Sequence, residues 1–467
     1  LRLIGTAGAR AFAVDARPGR ITVGGTTAAP RFATPGLTAA IDLGGLRASA
    51  TVSGELAGGA RGWSGSGRVA DAGTTVAALR ISDGAAAWRL AGGALTLDAG
   101  ARIADTEAVP RFAPLRLAAT GLRLDRTGVA GHGSIRLAAG GTPIATVTGD
   151  YRFGPATGTA VVDSTLVFSD TFQPFQLSEL ARGLAANVAG SVAGHADLRL
   201  AAGTVGGTAR VRIDHVSLAT AALGPVTGID GSIAFDDLPR LHTPPGQTLA
   251  VASINPGVVV DDGVVGFQLL DATTIAVERI RWPFAGGSLT LAPVTIRAGQ
   301  TSRRFVLAVD GLDAEQFLQR FQLKNFNATG RFDGVLPLVF DGGGGRIDGG
   351  VLTARAGGGL LQYVGNVGQD SMGGAGRLAF DALRRMRYRA LRLRLDGDLD
   401  GELVTAVDFV GTNEVPVRAA GPLPIRTTGL PFKFAVTVRA PFRALLGTAQ
   451  SFSDARAMIR AGAPVQH

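Results

Sequence analysis

The sequence predicts a mainly β protein: a long, curled, mostly antiparallel sheet forming an elongated hydrophobic groove, with a few short amphipathic helices. Three observations carry this. One phrase recurs, as Gly92-Gly93-Ala94-Leu95-Thr96-Leu97, Gly286-Gly287-Ser288-Leu289-Thr290-Leu291 and Gly349-Gly350-Val351-Leu352-Thr353-Ala354. Each is a glycine pair that frees the backbone, followed by a strand whose alternate side chains are apolar. Leucine and arginine alternate in many further segments, among them Leu115-Arg116-Leu117, Leu122-Arg123-Leu124, Ile135-Arg136-Leu137 and Leu391-Arg392-Leu393-Arg394-Leu395. That period of two gives a sheet one greasy face and one arginine face. Finally, the 68 glycines are spread along all 467 residues as turn and bulge punctuation, with no low-complexity or Pro/Ser-rich linker. A greasy face of that length must cover something.

From Leu1 to about Phe168 the chain reads as short strands between Gly, Asp and Pro turns, without the constant period of a solenoid. Near residues 175–188 the pattern becomes helical, because Phe175, Leu177, Leu180, Leu184 and Val188 approach i, i+3, i+4 spacing behind a Ser178 cap. Strands resume from Val192 to Leu312. A second helix is expected near 313–322, capped by Asp313 and carrying Phe317, Leu318 and Phe321. Further strands follow, with a helix near 375–386 and a last one near 441–460 that has Pro441 in its first turn. The expected division is an elongated sheet region over 1–311 and a distinct C-terminal domain over 312–467.

Composition narrows the function classes. A hydrophobic content of 46% excludes disorder, and 6% aromatics, with three Trp and three Tyr, is a thin supply for a large conventional core or the girdles of a membrane barrel. The net charge of +9 is carried by arginine, since Lys324 and Lys433 are the only lysines. Those arginines alternate with leucines instead of clustering with aromatics, which argues against nucleic acid. Absence of cysteine removes disulfides, thiolate metal sites and cysteine nucleophiles. The greasiest run, from Val258 to Leu270, is split by Asp261 and Asp262 and falls short of a membrane span. The chain opens at Leu1 without Met or a signal-like segment, and is read as part of a longer protein whose N-terminal anchor is missing.

No chemistry-bearing constellation emerges. His132, His195, His215 and His242 are scattered and lack metal-ligand spacing. Asp396-Gly397-Asp398-Leu399-Asp400-Gly401 has Val407 where an EF-hand needs its distal glutamate. Gly342 to Gly345 and Gly373-Gly374-Ala375-Gly376 lack the Gly-Lys-Ser/Thr ending of a phosphate loop, and no nucleophile elbow is visible. No enzyme activity, metal or cofactor is expected. The arginines Arg377, Arg384, Arg385, Arg387, Arg389, Arg392 and Arg394 could meet lipid headgroups, but a solvated outer face is the favoured reading.

From Leu312 to Leu446 the sequence stops being generic. Asp313-Ala-Glu315-Gln-Phe317-Leu318 leads to Gly330-Arg-Phe332-Asp-Gly334-Val-Leu336-Pro337-Leu338, then to Ile347-Asp-Gly349-Gly350-Val-Leu352-Thr-Ala354-Arg355 and Leu360-Leu-Gln-Tyr363. Ala382-Leu383 before Met386-Arg-Tyr388, Gly401-Glu-Leu403 through Gly411-Thr-Asn413, Pro431-Phe432-Lys-Phe434 and Pro441-Phe442-Arg-Ala444-Leu445-Leu446 complete the block. This succession resembles the C-terminal domain of YdbH-like proteins, in the AsmA-like group that also contains TamB. It departs from the family pattern at the glycine run Gly342 to Gly345 and at Asn413-Glu414, where Asn-Pro is common.

The resemblance implies a Gram-negative envelope protein, anchored in the inner membrane and reaching across the periplasm toward the outer membrane, where it meets an outer-membrane or periplasmic partner protein. It implies phospholipid cargo carried along a hydrophobic groove. A TamB-like scaffold that assists outer-membrane protein assembly or secretion by strand pairing is the rival reading. A β-helical adhesin and an envelope hydrolase rank lower, for want of regular rungs and of any catalytic constellation. For the groove, alternate positions of the late strands are the candidates: Leu336, Leu338 and Phe340; Leu391, Leu393 and Leu395; Leu403, Val407 and Phe409; Phe432, Phe434, Val436 and Val438. An ordinary core packed against the helices is the alternative for the same residues.

Overall fold

The structure is a computed structural model. It describes residues 2–7, 10–17, 19–43, 46–60, 62–76, 78–182, 185–201, 203–220, 224–255, 259–320, 326–341, 344–363, 385–399, 401–414, 417–418, 426–427, 429 and 431–441. The fold is mainly β, and every described strand pairing is antiparallel. The chain divides into two compact units. One consists of 1–182, 188–213 and 233–242; the other of 183–187, 214–232 and 243–467. Position 311–312 falls inside the Arg303–Asp313 strand, so chain direction does not break there.

In the first unit each strand pairs with its neighbour in sequence, from Ala29–Leu43 through Leu46–Gly59, Gly62–Val76, Leu79–Ala91, Ala94–Asp105, Leu115–Leu124, Gly128–Leu137, Pro143–Arg152 and Thr157–Phe168 to Ala186–Ala201. The second unit runs similarly from Gly224–Phe235 to Pro431–Pro441, with one helix, Ala314–Arg320, inserted after Arg303–Asp313. These strands belong to one large sheet, and no described pairing closes it into a barrel.

Register carries the alternation from strand to strand. In the first unit Trp88 stands opposite Leu97 and Leu97 opposite Leu122, while Ala101, Leu117 and Ile135 form a second apolar row. The sequence phrases Leu115-Arg116-Leu117 and Leu122-Arg123-Leu124 are out of phase by one residue, and the structure absorbs the difference inside one strand. Gly121 takes φ +63, and its N–H donates to the Asp98 carboxylate at 2.7 Å. This bulge returns Leu122 and Leu124 to the face of Leu115 and Leu117.

The recurring glycine pair serves two purposes. Gly92-Gly93, both at positive φ, closes the hairpin between Leu79–Ala91 and Ala94–Asp105. Gly349-Gly350 instead lies inside Gly344–Ala354, where Gly349 (φ +72) forms a bulge and donates its N–H to Asp396 at 3.1 Å.

Among the described residues the helix expected near 175–188 does not form. Two 3-10 turns, Pro174–Gln176 and Glu179–Ala181, stand in its place, and Val188 belongs to the Ala186–Ala201 strand. Gln173 explains the difference: its amide donates to the carbonyls of Ser169 and Val188 at 2.6 and 2.7 Å and accepts from the Val188 N–H at 2.9 Å. That side chain ties the segment to the residue that follows Thr157–Phe168 and to the Ala186–Ala201 strand, which holds it out of a continuous helix. The Ala314–Arg320 helix occupies the segment expected near 313–322, with Asp313 accepting the Gln316 N–H at 3.0 Å. The helices expected near 375–386 and 441–460 fall almost wholly outside the described residues, which resume at Arg385 and end at Pro441.

Candidate functional site

The two units treat their apolar faces differently. The second has a dense core in which Tyr388 and Met386 are 1% and 0% exposed. Phe332, Leu352, Leu391 and Phe409 are buried with them. The Tyr388 ring lies 6.3 Å from Phe332 and 6.1 Å from Phe409, and its hydroxyl donates to the Thr329 carbonyl at 2.5 Å. Gly330 (φ +111) makes that contact feasible, since a Cβ there would stand 2.2 Å from the hydroxyl. Burial pushes the Tyr388 phenol up to about 12. The Ala314–Arg320 helix closes one side, with Phe317 edge-on to Phe284 at 6.4 Å and Arg320 over the same ring at 5.3 Å.

The thirteen groove candidates lie on these late strands, and the register brings them to one face of the sheet. Leu336 stands opposite Leu307, and Leu338 opposite Phe305 and Ile347. Leu393 pairs with Leu352 and Val407, and Leu395 with Gly350 and Thr405. Val407, Phe409 and Gly411 stand opposite Val436, Phe434 and Phe432, and Thr405 opposite Val438. Leu391, Leu403 and Phe409 are buried, while Leu336, Leu393, Leu395 and Val407 are half-buried against the core. Leu338 and Phe340 are half-buried toward the opposite strand ends, and the Phe340 ring meets Phe305 at 5.6 Å. The side chains of Phe432, Phe434, Val436 and Val438 lie outside the described set.

In the first unit the aliphatic face is nearly uncovered. Among its described apolar side chains only Leu137, Phe168 and Val188 are buried, whereas Leu97, Leu117, Leu122, Ile135, Val147 and Leu198 stay half-exposed. Burial largely alternates, with exposed residues between half-exposed ones, as along Leu115–Leu124, where the phase shifts at the Gly121 bulge, and along Pro143–Arg152. An open cleft of about 550 Å³ runs over this surface. Its floor is made of small residues, Ala99, Ala119, Gly133 and Ala160, between Leu117, Leu122 and Ile135. This is the size range of a small-molecule site, and its lining is suited to hydrocarbon. The sequence signal was present in the repeated leucine alternation, but the late strands drew the candidates.

The polar candidates resolve into local pairs. His195 stands 2.7 Å from Asp163, His215 2.7 Å from Asp230 and His242 2.6 Å from Asp236, while His132 meets Thr120 at 3.2 Å. The Asp163 carboxylate raises the His195 pKa. Among the described residues no three His, Cys, Asp or Glu side chains are grouped to hold a metal. Asp261 pairs with Arg320 at 2.6 Å, and Asp396 accepts the Gly349 N–H; Asp400 is outside the described residues. Of the late arginines, Arg385 and Arg387 contact Glu414 at 3.0 and 2.7 Å and Arg394 contacts Asp408 at 2.9 Å. Arg377 and Arg384 are outside the described residues. Among the described residues no helix is long and apolar enough to cross a membrane.

The family model described as YdbH-like, intermembrane phospholipid transport protein YdbH, matches residues 38–464, far beyond the last third in which the recognisable phrases lie. No curated protein and no solved structure matches the chain.

Proposed function

Given that the chain belongs to the YdbH-like family of intermembrane phospholipid transport proteins, we propose that its apolar sheet faces carry phospholipid acyl chains while headgroups remain in water. The observation that carries this reading is the uncovered aliphatic face of the first unit. An extended apolar surface left open in a soluble domain marks a binding surface. Its ten-residue strand Leu115–Leu124 spans about 34 Å at roughly 3.4 Å per residue, twice the roughly 15 Å occupied by one leaflet's hydrocarbon. Acyl chains can therefore lie across such strands without reaching the polar edges. The late-strand face of the second unit, around Leu338, Phe340 and Leu395, is the proposed continuation of the same chemistry, with the Tyr388 core as its packed base.

We place the chain in the Gram-negative envelope, working in the periplasm between the two membranes and held to the inner one. Transport then needs no catalytic group from the protein: apolar contact lowers the cost of moving hydrocarbon through water. The test is photo-crosslinking in cells from Leu117, Ile135, Leu338 and Leu393, with Arg392 as the opposite-face control, together with mass spectrometry of co-purifying lipid. Phospholipid adducts at the four apolar positions and not at Arg392 are expected. Adducts to protein alone would overturn this reading in favour of the strand-pairing scaffold.

A further inference from the structure

In the second unit several outer-face arginines meet carboxylates. Arg355 bridges Asp333 and Asp310, Arg394 contacts Asp408, Arg346 contacts Asp341, and Arg385 and Arg387 share Glu414. In the first unit arginines instead stand against one another. Arg102 stands directly opposite Arg116, and Arg116 directly opposite Arg136, on three consecutive strands of the first unit. Arg80, opposite Ala104 two residues beyond Arg102, extends the patch diagonally. All four side chains are exposed. Arg136 donates to the Gly141 carbonyl at 3.2 Å, and none of the four forms an ion pair among the described residues.

Like charges directly opposite one another on a sheet are destabilising, so this row is a local cost that no ion pair among the described residues offsets. An external anion reverses the sign. We propose that Arg80, Arg102, Arg116 and Arg136 form a docking surface for an anionic phospholipid bilayer. Guanidinium groups bind phosphate bidentately and are weakly hydrated, which suits a layer of headgroup phosphates. The residues around the row are small, Ser82, Ala104, Ala118 and Ser134, so the face lacks the aromatic and apolar anchors on which a protein partner would depend. The row also lies on the face opposite Leu115, Leu117 and Ile135, out of reach of the headgroup of a lipid held there. Apolar face and arginine row thus address different lipid: one the hydrocarbon in transit, the other the charged surface beside it.

This inference rests on the intermembrane transport reading but is measured separately, as vesicle partition rather than lipid capture. The chain is mixed with phosphatidylglycerol-containing or pure phosphatidylcholine vesicles at low salt and sedimented. The parent chain should prefer the anionic vesicles, with about a fivefold loss of partition for each arginine replaced in R102Q, R116Q and R136Q. The triple Gln variant should melt no lower than the parent, because repulsion is relieved. The triple Lys variant keeps the charge and should keep anionic preference, so that lost binding cannot be assigned to misfolding. A charge-matched control, R346Q/R387Q/R394Q, should bind close to the parent. Equal loss in control and test variants, equal binding to both vesicle types, or preferential capture of poly-glutamate over vesicles would each overturn the proposal.

Discussion

Tyr388 shows how much a single side chain settles in the second unit. Its ring fills the space between Phe332 and Phe409, and its hydroxyl is the described partner of the Thr329 carbonyl, next to a glycine that no other residue could replace without collision. Tyr388→Phe keeps the ring and leaves that carbonyl without its donor, which should lower stability by about 1–3 kcal/mol in chemical denaturation. The pH dependence follows from the raised phenol. The folded pKa, about 12, lies above the ordinary phenol value of 10.0, so the stability contributed by the neutral phenol is complete below pH 10.0 and is lost as pH rises toward 12. Melting temperature followed across that window should fall in the parent, and fall less in the Phe variant. Tyr388 was legible in the sequence only as part of a family-like phrase. Nothing local in Met386-Arg387-Tyr388 announces burial, because its partner Thr329 is 59 residues away.

At the scale of the strand, a glycine bulge held by an aspartate on the neighbouring strand recurs three times. Gly121 donates to Asp98, Gly349 to Asp396 and Gly311 (φ +64) to Asp333 at 2.8 Å. Each inserts one residue, so that the apolar residues on either side keep one face. Space is not the constraint at Gly121, where an added Cβ would meet nothing within 4 Å; the left-handed backbone is. Gly121→Val should therefore cost at least about 1–2 kcal/mol, and hydrogen exchange should show protection lost first at Leu122 to Leu124. The alternation of Leu and Arg was readable by eye, and so were the faces it makes. The bulges were not, because the acceptor for Gly121 is 23 residues upstream and for Gly349 47 residues downstream. The helix expected near 175–188 failed for a similar reason. Apolar spacing favoured it, and Gln173, bonding Ser169 and the distant Val188, decided against it.

Across the whole molecule the contrast is between a unit with a core and a unit with an exposed apolar sheet. Burial of a face depends on what lies over it, which no strand encodes by itself; this is why the late strands were singled out when the emptier face is elsewhere. If the first unit's cleft holds hydrocarbon, filling its floor should block it. Ala119→Phe, at a half-exposed position with Ala99 and Gly133 as cross-strand neighbours, should reduce co-purified phospholipid severalfold with little change in melting temperature. Added lipid should raise hydrogen-exchange protection in 79–168 more than in 386–413, since a ligand stabilises the part that binds it.

Because every strand from Ala29 to Phe168 pairs with its sequence neighbours, this stretch is modular in units of two. Removing the hairpin Leu115–Leu137 would bring Ala94–Asp105 beside Pro143–Arg152 with opposite chain directions preserved, whereas removing one strand would force a parallel pair across a short loop. The two-strand deletion should give a shorter folded chain by circular dichroism and cooperative melting, and the one-strand deletion should not. Sheet length is thus an adjustable quantity in this architecture, set by the number of hairpins it contains, so that the apolar face can lengthen or shorten without any new fold being invented.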